Sequence, residues 1–446
     1  MTHRPNIVFI VADDLGFADL GCYGGRDAAF GAVSPNLDRM AKEGLCFTQG
    51  YANSAVCSPT RFALITGRWQ YRLRGAAEEP MRSDPITRQT LGLPPAHPTL
   101  PSLLRTAGYR TALIGKWHLG FLPHFGPLKS GYDHFLGAMA GGLDYFTHLD
   151  SRGQHDLWEG ESVLDDDSYL TDLFSRRAVR WIEEAAQPPQ DAETPARPFL
   201  LSLHYTAPHW PWETREDRAL AQSLGGQIYH MDGGNIETYR RMIHHMDEGI
   251  GQVMDALRRT GIDDNTLVIF TSDNGGERFS DNWPLVGGKM DLTEGGIRVP
   301  WIARWPNMIQ AGNHSAQHCL SMDWMATILD AAGVSADPDY PLDGVSLMPV
   351  LRHPSHLFER PMYWRMNHRG QRAYRLGDWK YLRVDAHDYL FNLAQDERER
   401  SNRAAREPER LVQMKCAWEA WNAGMPAIPS DATISPVYGL KDMPQR

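Results

Sequence analysis

Cys57 stands at the start of a run that is typical of a helix, in the segment AVCSPTRFALITGR, residues 55–68. Pro59 and Arg61 follow it closely, and the free N–H groups at a helix N-terminus attract anions. The residue types alone leave four interpretations of this cysteine open: a buried apolar side chain, a metal ligand, a thiol nucleophile, or the precursor of a modified residue. A thiolate nucleophile would need a His–Asn or His–Asp partner, which the sequence does not single out.

Acidic side chains follow two strongly apolar runs that are typical of strands. Asp13 and Asp14 come after VFIVA, and Asp273 and Asn274 come after VIFTS. In open α/β sheets, ligands bind beyond the carboxyl ends of the strands. Each pair alone is also typical of a turn, but three carboxylates and one amide together offer the oxygen ligands that Ca²⁺ or Mg²⁺ prefers. The two strand ends therefore predict a divalent-metal site.

Basic side chains follow further apolar runs. Lys116 and His118 stand two apart after TALIG, so alternation along a strand would point both to one face. His209 follows another such run, in HYTAPHWPW, and Lys289 lies in the glycine-rich segment GGKMDLTEGG. Each of the four is by itself more often a solvated or hydrogen-bonded side chain, and the residue types alone leave that alternative open.

Strands and helices alternate along the part of the chain that carries these residues. Apolar runs predict strands covered on both faces, as in a parallel sheet, at 6–12, 109–115, 197–205 and 265–272. Capping residues, with Ser34 as one N-cap, and apolar stripes predict helices at 34–44, 99–108, 165–185 and 239–261. The alternation favours a doubly wound α/β domain.

The character of the sequence changes after Pro349. The segment PMYWRMNHRGQRAYRLGDWKYLRV (361–384) alternates aromatic and basic residues around Gly370 and Gly377, which predicts an antiparallel meander. A charged connection then leads into a last helix, and proline and charge content predict a surface loop at 187–197. We therefore predict an α/β domain at 1–348 that carries the candidate site. A C-terminal subdomain at 349–446 would contain antiparallel strands, a terminal helix and a tail.

Composition and charge narrow the class of function. The chain has 446 residues with an ordinary globular balance, and its net charge of −10 gives no support to a nucleic-acid partner. Five scattered cysteines without a CxxC pair argue against a disulfide framework or a structural zinc site. No apolar run has the length of a signal peptide or of a membrane span. We expect a cytoplasmic protein, free of membrane, that binds a small molecule; a homo-oligomer is compatible with the sequence.

The segment CSPTR resembles the Cys-x-Pro-x-Arg signature of the sulfatase family, in which a maturase oxidises the cysteine to Cα-formylglycine. The similarity covers nearly the whole chain, in the family's order, through PNIVFIVADDLG, SPNLDRMAKEG, GYRTALIGKWHLG, APHWP, TSDNGG, GGKMDLTEGGIRVP and HDYLFNLAQDERERSN. The insert at 75–97 cannot be matched, and we expect it to shape substrate access.

The resemblance implies a role for each candidate residue. The implied Ca²⁺ ligands, with Ca²⁺ favoured over Mg²⁺, are Asp13, Asp14, Asp273 and Asn274. Cys57 is the implied formylglycine precursor, and Arg61 is its stabilising cation. The residues implied to hold and process the sulfate group are Lys116, His118, His209 and Lys289. The implied fold is alkaline-phosphatase-like, a mixed sheet sandwiched by helices with a small C-terminal α+β domain.

These implied roles agree with the chemistry of sulfate ester hydrolysis. A metal and two lysines can neutralise the sulfate oxygens, and the hydrate of formylglycine supplies a hydroxyl that attacks sulfur and a second that later expels sulfate. A histidine can protonate the leaving oxygen. We therefore expect a sulfuric ester hydrolase that needs a formylglycine-generating maturase, whereas an unmodified Cys57 thiol would be a poor substitute.

The sequence leaves the substrate open. Trp210 and Trp212 follow His209, and an indole beside the leaving oxygen would favour aryl sulfates by ring packing, although tryptophans are mostly structural. One alternative is a phosphonate monoester or phosphodiester hydrolase, because the same charged site can hold a phosphoryl group. The other is a Ca²⁺-stabilised anion-binding protein whose Cys57 is never modified.

Overall fold

The computed structural model describes residues 4–187, 197–225 and 233–435. Within these ranges the strands are β1 (Asn6–Ala12), β2 (Leu45–Phe47), β3 (Gly50–Tyr51), β4 (Arg110–Gly115), β5 (His134–Gly137), β6 (Trp158–Glu159), β7 (Ser162–Val163), β8 (Phe199–His204), β9 (Thr266–Ser272), β10 (Trp301–Arg304), β11 (Asn313–Ser315), β12 (Cys319–Leu320), β13 (Met362–Arg365), β14 (Arg372–Leu376), β15 (Trp379–Val384) and β16 (His387–Asn392). The α-helices are α1 (Asp27–Phe30), α2 (Pro35–Lys42), α3 (Cys57–Thr66), α4 (Pro85–Thr90), α5 (Leu100–Thr106), α6 (Leu170–Ala185), α7 (Arg218–Leu224), α8 (Ile236–Arg259), α9 (Glu294–Ile297), α10 (Asp323–Ala332), α11 (Met348–Arg352) and α12 (Pro408–Ala423).

Ten of these strands form one mixed sheet in the order β11-β2-β10-β9-β1-β8-β4-β5-β6-β7. The centre is parallel, since β1 pairs in parallel with both β8 and β9, and β4 with both β8 and β5. Antiparallel pairs flank it, β10 with β9 and β6 with β5. Every residue of β8 and β9 is buried, as their continuous apolar sequences require. The four predicted strands are confirmed as β1, β4, β8 and β9.

Helices cover both faces of the sheet. Val8 and Ile10 of β1 join a buried cluster with residues of α2, α6 and α8, whereas Ile7 and Phe9 join a second cluster with residues of α3, α5 and α10. Alternate residues of one strand therefore enter different cores, which is the sandwich that the resemblance implied. The stripe predicted along 239–261 is buried in α8.

Two details of the predicted helices are wrong. The helix expected at 165–185 begins only at Leu170, because Asp166 accepts the Ser168 N–H (2.7 Å) and holds the acidic segment in a turn. Ser34 precedes α2 as expected, but its hydroxyl does not cap that helix and accepts the Gly21 N–H instead (3.0 Å). Asp247 of α8 accepts the first free N–H groups of α2 in its place. The loop predicted at 187–197 lies almost wholly outside the described residues.

The predicted meander is confirmed as a four-stranded antiparallel sheet in the order β13-β14-β15-β16, followed by α12. Gly370 and Gly377 lie at its turns with φ of 55° and 54°, a left-handed conformation that glycine adopts without strain. The domain boundary at 348/349 stays a prediction; α11 spans it and buries Val350 and Leu351 in the core of the large sheet. Within the described ranges, no helix is long and apolar enough to cross a membrane.

Candidate active site

The carboxyl ends of β1 and β9 bring the four oxygen-bearing side chains together. These neighbouring parallel strands end at Ala12 and Ser272, so the residues that follow meet at one edge of the sheet. The N–H of Asp14 points to Asp273 Oδ1 (3.3 Å), and Nδ2 of Asn274 donates to Asp14 Oδ1 (2.7 Å). Asp14 adopts a left-handed backbone (φ 61°), which turns its side chain back into the site.

This group has the donor set of a site for a hard divalent cation. Oδ1 of Asp13 and Oδ1 of Asn274 are buried without a hydrogen-bond partner. Ligand atoms of Asp13, Asp14 and His209 lie within 4.8 Å of one another, as do those of Asp13, Cys57 and Asp273. Burial, together with repulsion by Asp273, raises the pKa of Asp13 well above its ordinary value. The carboxylate oxygens fit Ca²⁺ or Mg²⁺, which would relieve that repulsion.

Cys57 is the first residue of α3, as predicted, and Arg61 lies one turn further along the helix. The Arg61 guanidinium is buried and reaches Asp273 Oδ2 through Nε (2.9 Å) and Nη2 (2.8 Å), with Asp13 Oδ1 at 3.8 Å. Burial raises the pKa of the Cys57 thiol to about 11. The unmodified thiol is therefore neutral near pH 7, which makes it a weak nucleophile.

Two buried lysines each contact one of the paired aspartates. Lys116 Nζ lies 2.5 Å from Asp13 Oδ2, and Lys289 Nζ lies 2.7 Å from Asp14 Oδ2 and 3.7 Å from Glu277 Oε2. Although burial opposes both charges, the attraction between Lys289 and Asp14 raises the pKa of the lysine and lowers that of the aspartate. Both lysines are fixed in the site by these contacts, and the pair with Asp14 keeps Lys289 charged.

The expected alternation along a strand does not position Lys116 and His118. Strand β4 already ends at Gly115, and the Lys116 N–H donates to the His204 carbonyl (2.8 Å). His118 reaches the site because its backbone is left-handed (φ 58°). Both side chains still enter the site, but through a turn after the strand and not through the pleat of the strand.

Backbone carbonyls fix the tautomers of the two histidines. A carbonyl only accepts, so Nε2–H of His118 donates to Met81 O (2.8 Å), and Nδ1 is buried without a partner. Nδ1–H of His209 donates to Trp210 O (2.6 Å), and its Nε2 lies 3.6 Å from Asp14 Oδ2. Burial, with nearby lysine charges, lowers the pKa of both imidazoles well below the ordinary value.

A glycine pair that the sequence analysis missed allows both imidazoles to sit there. A Cβ on Gly141 would lie 2.4 Å from Cε1 of His118, and a Cβ on Gly142 would lie 3.0 Å from Cε1 of His209. The consecutive glycines in AMAGGLD were the available signal. The Met81 carbonyl carried no such signal, because any residue type has one.

These groups form the floor of a cleft of about 510 Å³. The buried floor includes Cys57, His118, His209 and Lys289, and residues 80–83 of the insert line one wall, as expected for an element that shapes access. Trp210 lines the cleft with its ring centroid 4.2 Å from that of His209. Trp212 instead is buried edge-on against Phe279 (4.7 Å) and does not line the cleft.

Comparison with known proteins identifies the family. The sulfatase family model matches residues 5–334, and the model for the C-terminal part of N-sulphoglucosamine sulphohydrolase matches residues 288–416. The chain belongs to the sulfatase family. It is therefore a sulfuric ester hydrolase that acts on sulfate esters.

Individual relatives agree with this assignment. Rat N-acetylgalactosamine-6-sulfatase is 34% identical over 382 residues, which are 81% of this chain and 68% of the relative. Mouse arylsulfatase J is 32% identical over 359 residues, covering 78% of this chain and 55% of the relative. The solved structure of Ps i-CgsB with k-i-k-neocarrahexaose is 30% identical, with a TM-score of 0.82 over 94% of this chain and 93% of that one. This structural similarity confirms the fold expected from the sequence.

Proposed function

We propose that this sulfatase hydrolyses sulfate monoesters, with aryl sulfates among them, through a formylglycine made from Cys57 and with a bound Ca²⁺. One observation carries the proposal. Cys57 begins a helix at the floor of a cleft where three buried carboxylates, three cations and two imidazoles converge. A thiol with a raised pKa has little use there, whereas a hydrated aldehyde at the same position would be a nucleophile.

The balance of charged side chains in the site supports a bound divalent metal ion. Asp13, Asp14 and Asp273 formally balance Arg61, Lys116 and Lys289, and Glu277 beside Lys289 adds a further negative charge. Without another cation, such a site has no net positive charge with which to bind an anion. A divalent ion held by the three aspartates and Asn274 would make the floor electropositive, which favours a sulfate group.

When present, Ca²⁺ would neutralise charge on sulfate oxygens, and formylglycine at position 57 would supply the attacking hydroxyl. The remaining steps belong to the chain's own residues. Lys116 and Lys289 lie beside the aspartates and are placed to hold sulfate oxygens. His118, whose free Nδ1 is buried, is placed to accept a proton, and His209 lies nearest to Trp210, on the side that we assign to the leaving group.

The preference for aryl esters rests on Trp210. Its ring lines the cleft and lies against His209, so a flat leaving group could pack on it at a gain of about 1 kcal/mol beyond area burial. The name of mouse arylsulfatase J supports an aryl ester, whereas that of rat N-acetylgalactosamine-6-sulfatase points to a sugar ester. Nitrophenyl sulfate is therefore a suitable first substrate, and not an assignment of the natural one.

Mass spectrometry of the Cys57 peptide, combined with paired assays, tests the proposal. Protein produced together with a formylglycine-generating maturase should carry the aldehyde at position 57, while the buried thiol of Cys46 on β2 serves as the internal unmodified control. Its kcat/KM on 4-nitrophenyl sulfate should exceed that on a phenyl phosphonate ester. Cys57→Ala should abolish turnover with little change in melting temperature, and Cys46→Ala should keep it.

Two results would contradict the proposal. Active protein in which every Cys57 is an unmodified thiol would exclude the formylglycine mechanism. A matured protein that prefers the phosphonate ester would move the reaction to the phosphoryl alternative.

A further inference from the structure

Two arginines stand at the mouth of the cleft whose floor holds the candidate catalytic groups. Arg82, in the insert, and Arg152, in the loop after the glycine pair, both line the cleft and are exposed. At its floor, Cys57 is buried, and the side chain of Lys289 is only 5% exposed. A sulfate group on the floor would therefore place the rest of its ester toward these two side chains. We call Arg82 and Arg152 the cationic rim.

The C-terminal segment fixes Arg82 without neutralising it. Its Nη2 donates to the Ile434 carbonyl (3.0 Å), and its Nε donates to the Ser435 hydroxyl. The same segment is paired with the insert, since the Glu79 N–H donates to Thr433 O (3.0 Å) and the Ser435 N–H donates to Glu79 O (2.8 Å). Among the described residues, both acceptors of the guanidinium are neutral, so these contacts set its position without neutralising its charge.

The loop of Arg152 is held in a similar way. Asp150 accepts the Arg152 backbone N–H (2.8 Å), but its carboxylate forms an ion pair with Arg88 (2.8 Å) and not with the guanidinium of Arg152. The charge of Arg152 also acts on Asp84, whose carboxylate oxygens are already occupied at the start of α4 by the Ile86 and Thr87 donors. Arg152 is thus held at the cleft through its backbone, and the residue is exposed.

The cationic rim has no direct ion-pair partner in the described part of the chain. Across residues 4–187, 197–225 and 233–435, no carboxylate oxygen lies within 4.0 Å of the guanidinium of Arg82 or of Arg152, the distance that defines an ion pair. The chain as a whole carries a net charge of −10. Two unpaired arginines at one cleft mouth on an acidic protein create a local positive field that attracts anions.

The cleft is also larger than a sulfate group alone would fill. About 510 Å³ lies in the range of pockets that enclose whole small-molecule ligands.

We propose that the cationic rim binds a second anionic group, a carboxylate or a sulfate, on the leaving group of the ester. The planar guanidinium suits both anions, because each presents two oxygens to its parallel N–H groups. This inference rests on the proposed sulfatase site and deepens it by naming the substrate class.

Matched aryl esters test the rim directly. The probes are 4-nitrophenyl sulfate and its 3-carboxylate and 3-sulfonate derivatives, which differ only in the second anion. Their Kd values are measured on full-length Cys57→Ala protein, and their kcat/KM values on matured protein. Arg82→Met and Arg152→Met remove the charge and keep the apolar stem. The control is Arg105→Met, an exposed arginine of α5 outside the cleft.

The Cys57→Ala protein should bind the doubly charged probes about tenfold more tightly than 4-nitrophenyl sulfate, the range of one charge-assisted contact. Each rim variant should reduce that ratio several-fold, and Arg105→Met should preserve it. A stronger response with the carboxylate or with the sulfonate identifies which anion the rim prefers. Ratios that are equal in the parent and in both rim variants would overturn the inference. Absence of turnover with intact Kd ratios would instead contradict the proposed function and uphold the rim.

Discussion

Nδ2 of Asn274 lies 2.7 Å from Oδ1 of Asp14, and this contact leaves the carbonyl oxygen of the same amide buried without a hydrogen-bond partner. A buried acceptor without a partner is costly. The neighbouring Asp13 Oδ1 is in the same condition, and a cation between these oxygens would satisfy both. Removal of such a cation should therefore leave both oxygens unsatisfied.

Chelation should reduce both activity and stability. A ligand that binds only the folded state at about a hundredfold excess over its Kd stabilises that state by about 3 kcal/mol. Adding Ca²⁺ to chelated protein should raise the melting temperature, and Asp14→Ala or Asp273→Ala should remove this Ca²⁺-dependent rise. The measurement is thermal unfolding with and without Ca²⁺.

The change in melting temperature caused by Ca²⁺ is the proper readout, because Asp273→Ala also removes the carboxylate nearest to Arg61 and lowers stability by that separate route. Asp264→Ala, an exposed acid just before β9, is the control and should keep the full Ca²⁺ response. A chelated protein with unchanged activity and melting temperature would exclude the metal site.

Glu213 should make stability depend on pH. Burial, followed by repulsion from Asp144, raises the pKa of this carboxyl to about 9. Because the folded state holds the proton that the unfolded state releases above about pH 4.5, wild-type stability should fall as pH rises from about 5 to 9. Glu213→Gln, a neutral side chain of the same shape, should remove this fall, which is on the order of a few kcal/mol.

Urea unfolding at several pH values compares the two proteins. The difference in unfolding free energy, wild type minus Glu213→Gln, should become more negative with rising pH over that window. Glu216→Gln, an exposed glutamate on the same loop, should give a constant difference there. Parallel wild-type and Glu213→Gln curves would show that Glu213 is ionised in the folded protein.

Lys380 of β15 links the small sheet to the large domain through buried charges. Its Nζ lies 2.9 Å from Glu294 Oε1 and 2.8 Å from Glu399 Oε1, and all three side chains are almost completely buried. Lys380→Met would remove the cation paired with Glu399 and leave Glu294 with Arg375 as its nearest cation, and breaking such a buried pair typically costs about 3–5 kcal/mol. Thermal or urea unfolding should show this loss.

Lys415→Met provides the comparison, because Lys415 pairs with Asp388 at a partly exposed position (3.4 Å). Loss of the Lys415–Asp388 pair should lower the free energy of unfolding by less than about 1 kcal/mol. Adding Glu399→Gln to Lys380→Met should recover part of the stability by removing one unpaired charge. Equal effects of Lys380→Met and Lys415→Met would show that the buried cluster contributes no more than a surface pair.

Much of the fold could be predicted because its central strands are buried on both faces. Continuous apolar runs such as β1 and β9 admit few other structures, and residues that follow such strands collect at one edge of the sheet. That single rule is enough to predict that Asp13, Asp14, Asp273 and Asn274 lie together. The short edge strands β6 and β7 have no such pattern, since their residues are half-buried or exposed.

The rest of the site depends on backbone conformation and on groups common to all residues. His118 enters through a left-handed φ, which histidine adopts far less readily than glycine. Its partner is the carbonyl of Met81, which every residue type offers. The end of the C-terminal segment, Thr433–Ser435, reaches the cleft by pairing with residue 79, a contact between positions more than 350 apart in the chain. Local sequence patterns do not encode such long-range pairing.

His209 allows a test of proton transfer to the leaving group. Its Nδ1–H donates to the Trp210 carbonyl, so Nε2 is the nitrogen that faces the charged site, and the Trp210 ring beside it lines the cleft. To protonate the leaving oxygen, His209 must first take up a second proton on Nε2, a charged form that Asp14 favours although burial opposes it. Its contribution should then depend on how much the leaving group needs a proton. Phenols of low pKa leave without protonation, whereas weakly acidic phenols need a general acid.

His209→Ala should therefore reduce kcat/KM far more for sulfate esters of weakly acidic phenols than for nitrophenyl sulfate. The measurement is a plot of log kcat/KM against leaving-group pKa for both proteins, and general-acid catalysis typically contributes about 10²–10⁴-fold. The line for His209→Ala should be steeper, because charge on the leaving oxygen is no longer neutralised in the transition state. His124→Ala, an exposed histidine outside the cleft, should follow the wild-type line. Parallel lines for wild type and His209→Ala would exclude the acid role and leave His209 as a residue that binds the sulfate group.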